Sequence, residues 1–346
     1  MPQRVHNMVS DFTWMIGGPQ GSGVETAANI FSQVFSKMGY QIFGKREYYS
    51  NIKGEHSYFA VRISDKKIRS SVKGTNMLIA FDAETIFRHV DDVLENGIII
   101  YDSTLENMKI SDVITFENDF KDRLENILKS KNKESNVKGM LELASENGVT
   151  IHSVSFRSLL TELSEKLENP RIKNMSRMFN VLGVSLSLGL LMIPSEKLTE
   201  SINSIFSKKK SIADMNVSAA NFAYNYAAAK FDEPNFKFKA KEIEENTLLV
   251  QGYYGTSLGK IIAGCRFQSY YPITPATDES NFLETNEILE INEDRPGSTL
   301  VIQTEDEISA IGMAIGSSLT GVRSATCTSG PGFVLMIECL SWAGIN

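Results

Sequence analysis

Cysteine is scarce in this sequence. Cys265, Cys327 and Cys339 are the 3 cysteines of 346 residues, and no two of them form a Cys-x-x-Cys pair. That count and spacing disfavour a disulfide framework, a zinc site, or an iron–sulfur cluster held by this chain alone. A basic surplus is also missing. Lys and Arg number 35 against 42 Asp and Glu, a formal net charge of −7, so there is no electrostatic footprint for nucleic acid or an anionic membrane. The N-terminus shows no basic-then-apolar signal pattern. The longest apolar run, Phe179 to Ile193, contains Gly183, Ser185, Ser187 and Gly189 and falls short of the about twenty residues a bilayer span needs. It reads as a buried helix, and the chain as cytoplasmic. What is present is ordinary for a globular protein: 42% hydrophobic and 22% charged residues, with length enough for two domains with real cores.

Phe12 to Ile16 reads as a buried strand, followed by the glycine loop Gly17-Gly-Pro-Gln-Gly-Ser-Gly23. From Val24 to Met38 the spacing of Ala27, Ile30, Phe31, Val34 and Phe35 predicts a helix. Met77–Phe81, Gly97–Tyr101 and Val149–Val154 read as further buried strands. Strands alternating with helices predict a mostly parallel α/β sheet. Lys129–Lys138 reads as a solvated loop or helix face. Residues 196–246, with Ser207-Lys-Lys-Lys210 and Pro234, lack sustained periodicity and read as a linker, with some helix around Ala219–Lys230. A second α/β unit begins near Leu248. Helices are expected at Leu258–Cys265 and Glu307–Leu319, strands at Thr299–Ile302 and Ser324–Thr328, and a last helix from near Phe333. A parallel β/α domain does not usually stop after such a helix, so the second domain is expected to be incomplete at its C-terminus.

The segment Tyr271-Pro-Ile-Thr-Pro-Ala-Thr-Asp-Glu279 carries the most information. Each proline fixes its own φ and pushes the preceding residue toward extended geometry, so the backbone around Thr274 is stiff. A stiff polar loop at a strand end can hold a small anionic substrate; a Pro-stabilised turn is the plainer alternative. The segment resembles the Tyr-Pro-Ile-Thr-Pro motif of the 2-oxoacid:ferredoxin oxidoreductases. Gln303-Thr-Glu-Asp-Glu-Ile-Ser-Ala-Ile-Gly-Met-Ala-Ile-Gly316 and Thr326-Cys-Thr-Ser-Gly-Pro-Gly-Phe333 follow at family spacing. The Gly17–Gly23 loop, together with Ile52-Lys-Gly-Glu-His-Ser-Tyr-Phe59, resembles the gamma domain of the same family. The resemblance implies a gamma-type α/β domain over 1–195, a linker over 196–246, and over 247–346 the start of a thiamine-diphosphate-binding, pyrimidine-type α/β domain with a parallel sheet. This is the order of a fused alpha subunit.

By the same resemblance, Glu307 is the catalytic carboxylate that hydrogen-bonds N1′ of the thiamine aminopyrimidine. Glu305 is the competing assignment, and an acidic first turn of a helix the plainer one. Thr274, with Tyr271, is implied to bind the 2-oxoacid. Pro275, Thr328, Ser329, Gly330 and Gly332 are implied to line the cofactor. A plain βα loop with a Ser/Thr cap is the alternative there, and an N-cap with an acidic first turn is preferred for Thr277 and Asp278. Gly21, Gly23, Lys53 and Gly54 are weaker candidates for docking coenzyme A. The spacing Gly-Gly-x-x-Gly-x-Gly is not the dinucleotide fingerprint, and close helix–strand packing explains the glycines as well. Glu55 stands where relatives often have glycine and adds a negative charge; Lys45, Arg46 and Lys53 could supply positive charge. His56 reads as a structural hydrogen-bonding histidine. The Gly-Asp-Gly motif for diphosphate and Mg²⁺ is absent from the sequence. The resemblance puts that motif, and a [4Fe-4S] cluster, on a beta subunit. The implied reaction is CoA-dependent oxidative decarboxylation of a 2-oxoacid such as 2-oxoglutarate or pyruvate, with electrons passed to ferredoxin. No metal site is expected on this chain. A non-catalytic, partner-binding subunit is the alternative, and a nucleotide-binding oxidoreductase a third reading.

Overall fold

Period-two alternation divides the buried strands of the N-terminal half between two helical layers. In the computed structural model, which describes residues 7–48, 56–172, 175–243, 245, 247–274, 276–292 and 295–345, the chain forms two units, Met1–Thr247 and Leu248–Asn346. The first runs β1 (Asn7–Met8), β2 (Asp11–Pro19), α1 (Val24–Ser36), β3 (Gln41–Tyr48), β4 (His56–Ser64), β5 (Thr75–Ala80), α2 (Ala83–His89), β6 (Val93–Asp102), α3 (Asn118–Ser130) and α4 (Val137–Glu146). It continues with β7 (Thr150–Val154), α5 (Phe156–Lys166), α6 (Phe179–Leu190), α7 (Ser195–Ile205), α8 (Lys210–Lys230) and β8 (Phe236–Lys237). Six strands form one sheet in the order β3-β4-β2-β5-β6-β7. β2, β5, β6 and β7 are parallel, as the strand–helix alternation predicts. β3 and β4 extend the sheet antiparallel at one edge.

Successive residues of a strand point to opposite faces. Phe12, Trp14, Ile16, Met77, Ile79, Ile98 and Ile100 therefore share one buried cluster with α1, α6 and α8. Met15, Leu78, Ala80, Ile99 and Tyr101 join α2 and α4 in another. Trp14 shows how the first cluster is fixed. Its ring stacks on Phe31 at 4.4 Å, and its indole nitrogen donates to Ser187 Oγ at 2.9 Å, so the one polar atom of a large buried ring is satisfied. The apolar run Phe179–Ile193 gives α6, buried on every face from Val181 to Leu190. Gly189 lets α8 approach closely, since a Cβ there would lie 2.9 Å from Tyr224 Cα. Among the described residues no helix is long and apolar enough to cross a membrane.

The expected linker over 196–246 requires correction. α7 and α8 bury Leu198, Ile202, Ala219, Ala220, Ala223 and Ala227 in the same cluster as Trp14. Phe236 and Phe238 pack edge-on against Phe12. Alanines fill the buried stripe of α8, so the sequence shows little apolar contrast there. Lys208 and Lys209 lie in the turn between two packed helices, and Lys210 opens α8.

The glycine loop is also shorter than expected. β2 runs through Gly17 and Gly18 to Pro19. A Cβ on Gly17 would meet Thr85, and one on Gly23 would lie 2.8 Å from Asn180 Cγ, where φ is also +88°. Gly21, at φ 94°, is exposed. Packing thus accounts for Gly17 and Gly23. Nearby positive charge is paired: Lys45 with Glu47 at 2.8 Å, and Arg46 with Glu25 at 2.7 Å. Lys53, Gly54 and Glu55 lie outside the described residues.

His56 is buried on β4. Its Nε2 lies 3.1 Å from His89 Nε2, and His89 Nδ1 lies 3.1 Å from Asp92 Oδ2. Burial, reinforced by His89 and Arg88, pushes the His56 pKa from 6.5 down to about 3. Between these values the unfolded chain takes a proton that the folded chain refuses. His56 therefore costs no stability above about pH 6.5 and costs progressively more as pH falls toward 3. We expect His56→Gln to flatten the decline in thermal midpoint between pH 7 and 4. Parallel curves for the two proteins would remove His56 as its cause.

The second unit runs α9 (Gly252–Ile262), β9 (Phe267–Tyr270), α10 (Thr277–Thr285), β10 (Ile288–Asn292), β11 (Arg295–Ser298), β12 (Leu300–Gln303), α11 (Glu307–Ser318), β13 (Ser324–Cys327) and α12 (Gly330–Ile345). β10 and β11 form an antiparallel pair, and β12-β9-β13 a parallel sheet. The core is small: Ala310, Ile311 and Met336, with Ile315 and Cys339 against them. α12 leaves Phe333, Val334, Leu335 and Ile337 exposed.

Candidate active site

The register of the second sheet pairs Tyr270 with both Gln303 and Cys327, so its three parallel strands end level. The three motifs singled out in the sequence are the segments that follow these ends. In open parallel sheets, ligands bind outside the carboxyl ends of the strands.

After β9 comes the turn Tyr271–Thr274, with Tyr271 and Thr274 both exposed. The backbone N–H and hydroxyl of Thr277 each donate to Ile273 O at 3.0 Å, which pins the turn to the start of α10. Thr277 is thus the first helical residue and its side chain makes no N-cap, contrary to expectation; Asp278 does lie in an acidic first turn. Thr304, after β12, donates its N–H to Tyr270 O at 2.8 Å and its hydroxyl to Asp306 O at 2.8 Å. The bond to Tyr270 ties the first two loops together.

Three consecutive acids then open α11, and the backbone sorts them. Asp306 is the N-cap and accepts from Ser309 N at 2.6 Å. Hydrogen bonds from Ser309 hold its carboxyl below the usual carboxylate range. Glu305 and Asp306 are exposed, whereas Glu307 is only 6% exposed. Among the described residues the one hydrogen bond of its carboxylate is from Thr328 Oγ1, at a long 3.5 Å. A buried carboxylate so thinly satisfied is unusual and leaves room for a donor from a bound molecule.

After β13, Thr328 and Ser329 are half-buried, and α12 starts at Gly330. Gly332 is buried against the same cluster: a Cβ on it would press on the Thr328 hydroxyl and come within 2.8 Å of Glu307 Cγ. The structure therefore brings together Glu307, Thr328 and Gly332. No hydrogen bond links Tyr271 or Thr274 to them among the described residues. Pro275 lies outside the described residues, and Gly21 and Gly23 belong to the first unit.

Residues 13–226 match the family model for pyruvate ferredoxin/flavodoxin oxidoreductase. The chain belongs to this family. Residues 258–346 match a second oxidoreductase model of the same name, described as thiamine diphosphate-binding. The family member is 42% identical over 96% of its length to the alpha subunit of 2-oxoacid:ferredoxin oxidoreductase 1 from Sulfurisphaera tokodaii, covering 53% of that relative. It is 39% identical to the corresponding alpha subunit from Saccharolobus solfataricus, over 96% of this chain and 52% of the relative. It is also 45% identical, over 28% of this chain and 24% of the relative, to 2-oxoglutarate synthase subunit KorA of Methanothermobacter thermautotrophicus. The chain thus spans about half the length of the alpha subunits it matches. A solved 2-oxoglutarate:ferredoxin oxidoreductase from Magnetococcus marinus shares the fold, with a TM-score of 0.68 at 21% identity over 95% of this chain and 49% of that one. The resemblance read from the sequence stands.

Sequence reasoning missed the polar interior of the second unit. Gln268, Ser269 and Ser280 are fully buried. Ser269 Oγ donates to Ala310 O at 2.6 Å and so fixes α11 to the central strand. Gln268 and Ser269 between Phe267 and Tyr270 gave a weak signal, and Ser280, in a polar stretch, gave none.

Proposed function

We propose that this chain provides the gamma-type and aminopyrimidine-binding parts of an alpha subunit of a 2-oxoacid:ferredoxin oxidoreductase. The complete enzyme converts a 2-oxoacid and coenzyme A to acyl-CoA and carbon dioxide and reduces ferredoxin, in the cytoplasm. The observation that carries this reading is the buried, under-satisfied Glu307 carboxylate at the start of α11, beside Thr328 and Gly332. The residues present fit thiamine diphosphate. Absence of a Cβ at Gly332 lets the Thr328 hydroxyl and the Glu307 side chain pack directly on its backbone, and Thr328 and Ser329 offer hydroxyls to the polar edge of a flat ring.

When bound, thiamine diphosphate supplies the carbanion chemistry, and the protein supplies orientation and tautomer control. Glu307 shares a proton with the N1′ nitrogen. Thr328, Ser329, Gly330 and Gly332, with Pro275, line the aminopyrimidine side. Thr274 and Tyr271 take the 2-oxoacid carboxylate and keto oxygen. A hydrogen bond from Thr274 to a charged carboxylate contributes roughly 1.5–3 kcal/mol. Gly21, Gly23, Lys53 and Gly54 remain proposals for the coenzyme A side. Among the described residues no group of three His, Cys, Asp or Glu is placed to hold a metal ion. We assign the diphosphate-bound Mg²⁺ and the [4Fe-4S] cluster to a beta subunit.

Half a cofactor site binds weakly, because the ordering cost remains while most contacts are missing. The purified chain is expected to be colourless, to bind thiamine diphosphate poorly and to reduce no dye. The complete polypeptide co-purified with its beta subunit is expected to be brown and to reduce viologen dependent on both 2-oxoacid and coenzyme A. A cofactor-loaded assembly without 2-oxoacid-dependent reduction would favour the non-catalytic reading. Turnover by the isolated chain would refute the shared site.

A further inference from the structure

A directional hydrogen-bond chain runs through the interior of the second unit. Lys260, on α9, pairs with Glu279 of α10 and donates to Gln268 Oε1 at 2.8 Å. An ammonium group can only donate, so this contact fixes which end of the Gln268 amide is oxygen. The Gln268 Nε2 then donates to Ser280 Oγ at 2.7 Å and approaches Cys327 Sγ at 3.6 Å. Ser280 Oγ lies 3.2 Å from Cys327 Sγ, and that thiol donates to Ala276 O at 3.5 Å. With its single proton on Ala276 O, the thiol must accept from the Ser280 hydroxyl. Donation therefore runs in one direction along Lys260, Gln268, Ser280, Cys327 and Ala276. Gln268 and Ser280 are both fully buried.

The two ends of the last link matter. Ala276 N-caps α10 and stands two residues after Thr274. Cys327 ends β13 and directly precedes Thr328, whose hydroxyl meets Glu307. The thiol thus joins the turn that carries the substrate threonine to the loop that carries the cofactor contacts. We infer that Cys327, held by Gln268 and Ser280, is a positioning residue that sets the spacing between the Thr274 turn and the Glu307–Thr328 cluster. This rests on the functional reading above. Its consequence is specific: loss of the link moves the 2-oxoacid relative to the cofactor without removing any cofactor contact. Burial also pushes the Cys327 thiol pKa up, against the opposing Ser280 hydrogen bond, which keeps its proton available for donation. Buried polar chains of this kind fix one arrangement when every member is satisfied.

The test uses the assembled enzyme of complete subunits. Cys327→Ala is expected to raise the KM for 2-oxoacid by roughly three- to tenfold, the effect of one lost hydrogen bond. Half-saturation by thiamine diphosphate should stay within about twofold. Cys327→Ser, which keeps a donor and an acceptor, should recover most of the loss; a purely packing role would leave Ser no better than Ala. If Cys327→Ala fails to assemble, Ser280→Ala removes only the bridging hydroxyl and should shift the same KM. Unchanged KM values, or equal shifts for 2-oxoacid and thiamine diphosphate, would overturn the inference and leave the functional reading standing. A wild-type assembly with no 2-oxoacid-dependent reduction would overturn both.

Discussion

Glu307→Gln is expected to abolish turnover of the assembled enzyme while leaving the fold intact. The amide fills the volume of the carboxylate, and the Thr328 hydroxyl can still donate to its oxygen, so the small core of Ala310, Ile311 and Met336 stays undisturbed. What is lost is the ability to share a proton with N1′. Acid–base contributions of this kind are worth on the order of 10²–10⁴ in rate. The drop should appear in kcat, with the thermal midpoint within a few degrees of wild type. Glu305→Gln is the natural comparison, since Glu305 stands just before the Asp306 cap and is exposed. The exposed position has solvent to satisfy its charge; the buried one depends on what binds. Near-normal kcat in Glu307→Gln, with loss in Glu305→Gln, would transfer the role to Glu305.

The sequence could propose both glutamates but not separate them physically. Spacing within a motif does not show which side of a helix start faces inward. The cap separates their surroundings: Asp306 takes the N-cap position, with Glu307 buried beside Thr328 and Glu305 exposed. The buried strands Phe12–Ile16, Met77–Phe81 and Gly97–Tyr101 were legible because they are continuous apolar runs between turn signals. α8 was only partly legible, because alanines such as Ala219, Ala220 and Ala223 bury well without standing out from their neighbours. The antiparallel pair β3 and β4 was missed, since the consecutive charges Lys45, Arg46 and Glu47 break any period-two pattern in β3. Three motifs could be read along the chain, but their convergence could not. It depends on the register that aligns Tyr270, Gln303 and Cys327, a long-range property. The chain from Lys260 to Cys327 was hidden for the same reason, since Cys327 meets Ser280, 47 residues earlier, only through the sheet register.

Gly332→Ala is expected to damage the site by a different route, through volume rather than charge. The position is buried, and the added Cβ would press directly on the Thr328 hydroxyl and the Glu307 side chain. Neither neighbour can withdraw freely. Thr328 is fixed at the end of β13, and Glu307 is the first residue of α11, held there by the Asp306 cap. Forcing an extra methyl group into a packed site costs about 1–3 kcal/mol, which corresponds to roughly five- to 150-fold in an equilibrium constant. Alanine is otherwise the better helix former, so any destabilisation must come from this local overlap. The thermal midpoint should therefore fall, the half-saturating concentration of thiamine diphosphate in the assembled enzyme should rise as Thr328 and Glu307 are displaced, and kcat should fall as the Glu307 carboxylate is pushed aside. The substitution changes no charge and leaves the Thr274 turn intact, so the KM for 2-oxoacid measured at saturating cofactor should move far less. Unaltered cofactor affinity in Gly332→Ala would mean that the cluster of Glu307, Thr328 and Gly332 is a packing contact and not the floor of the cofactor site.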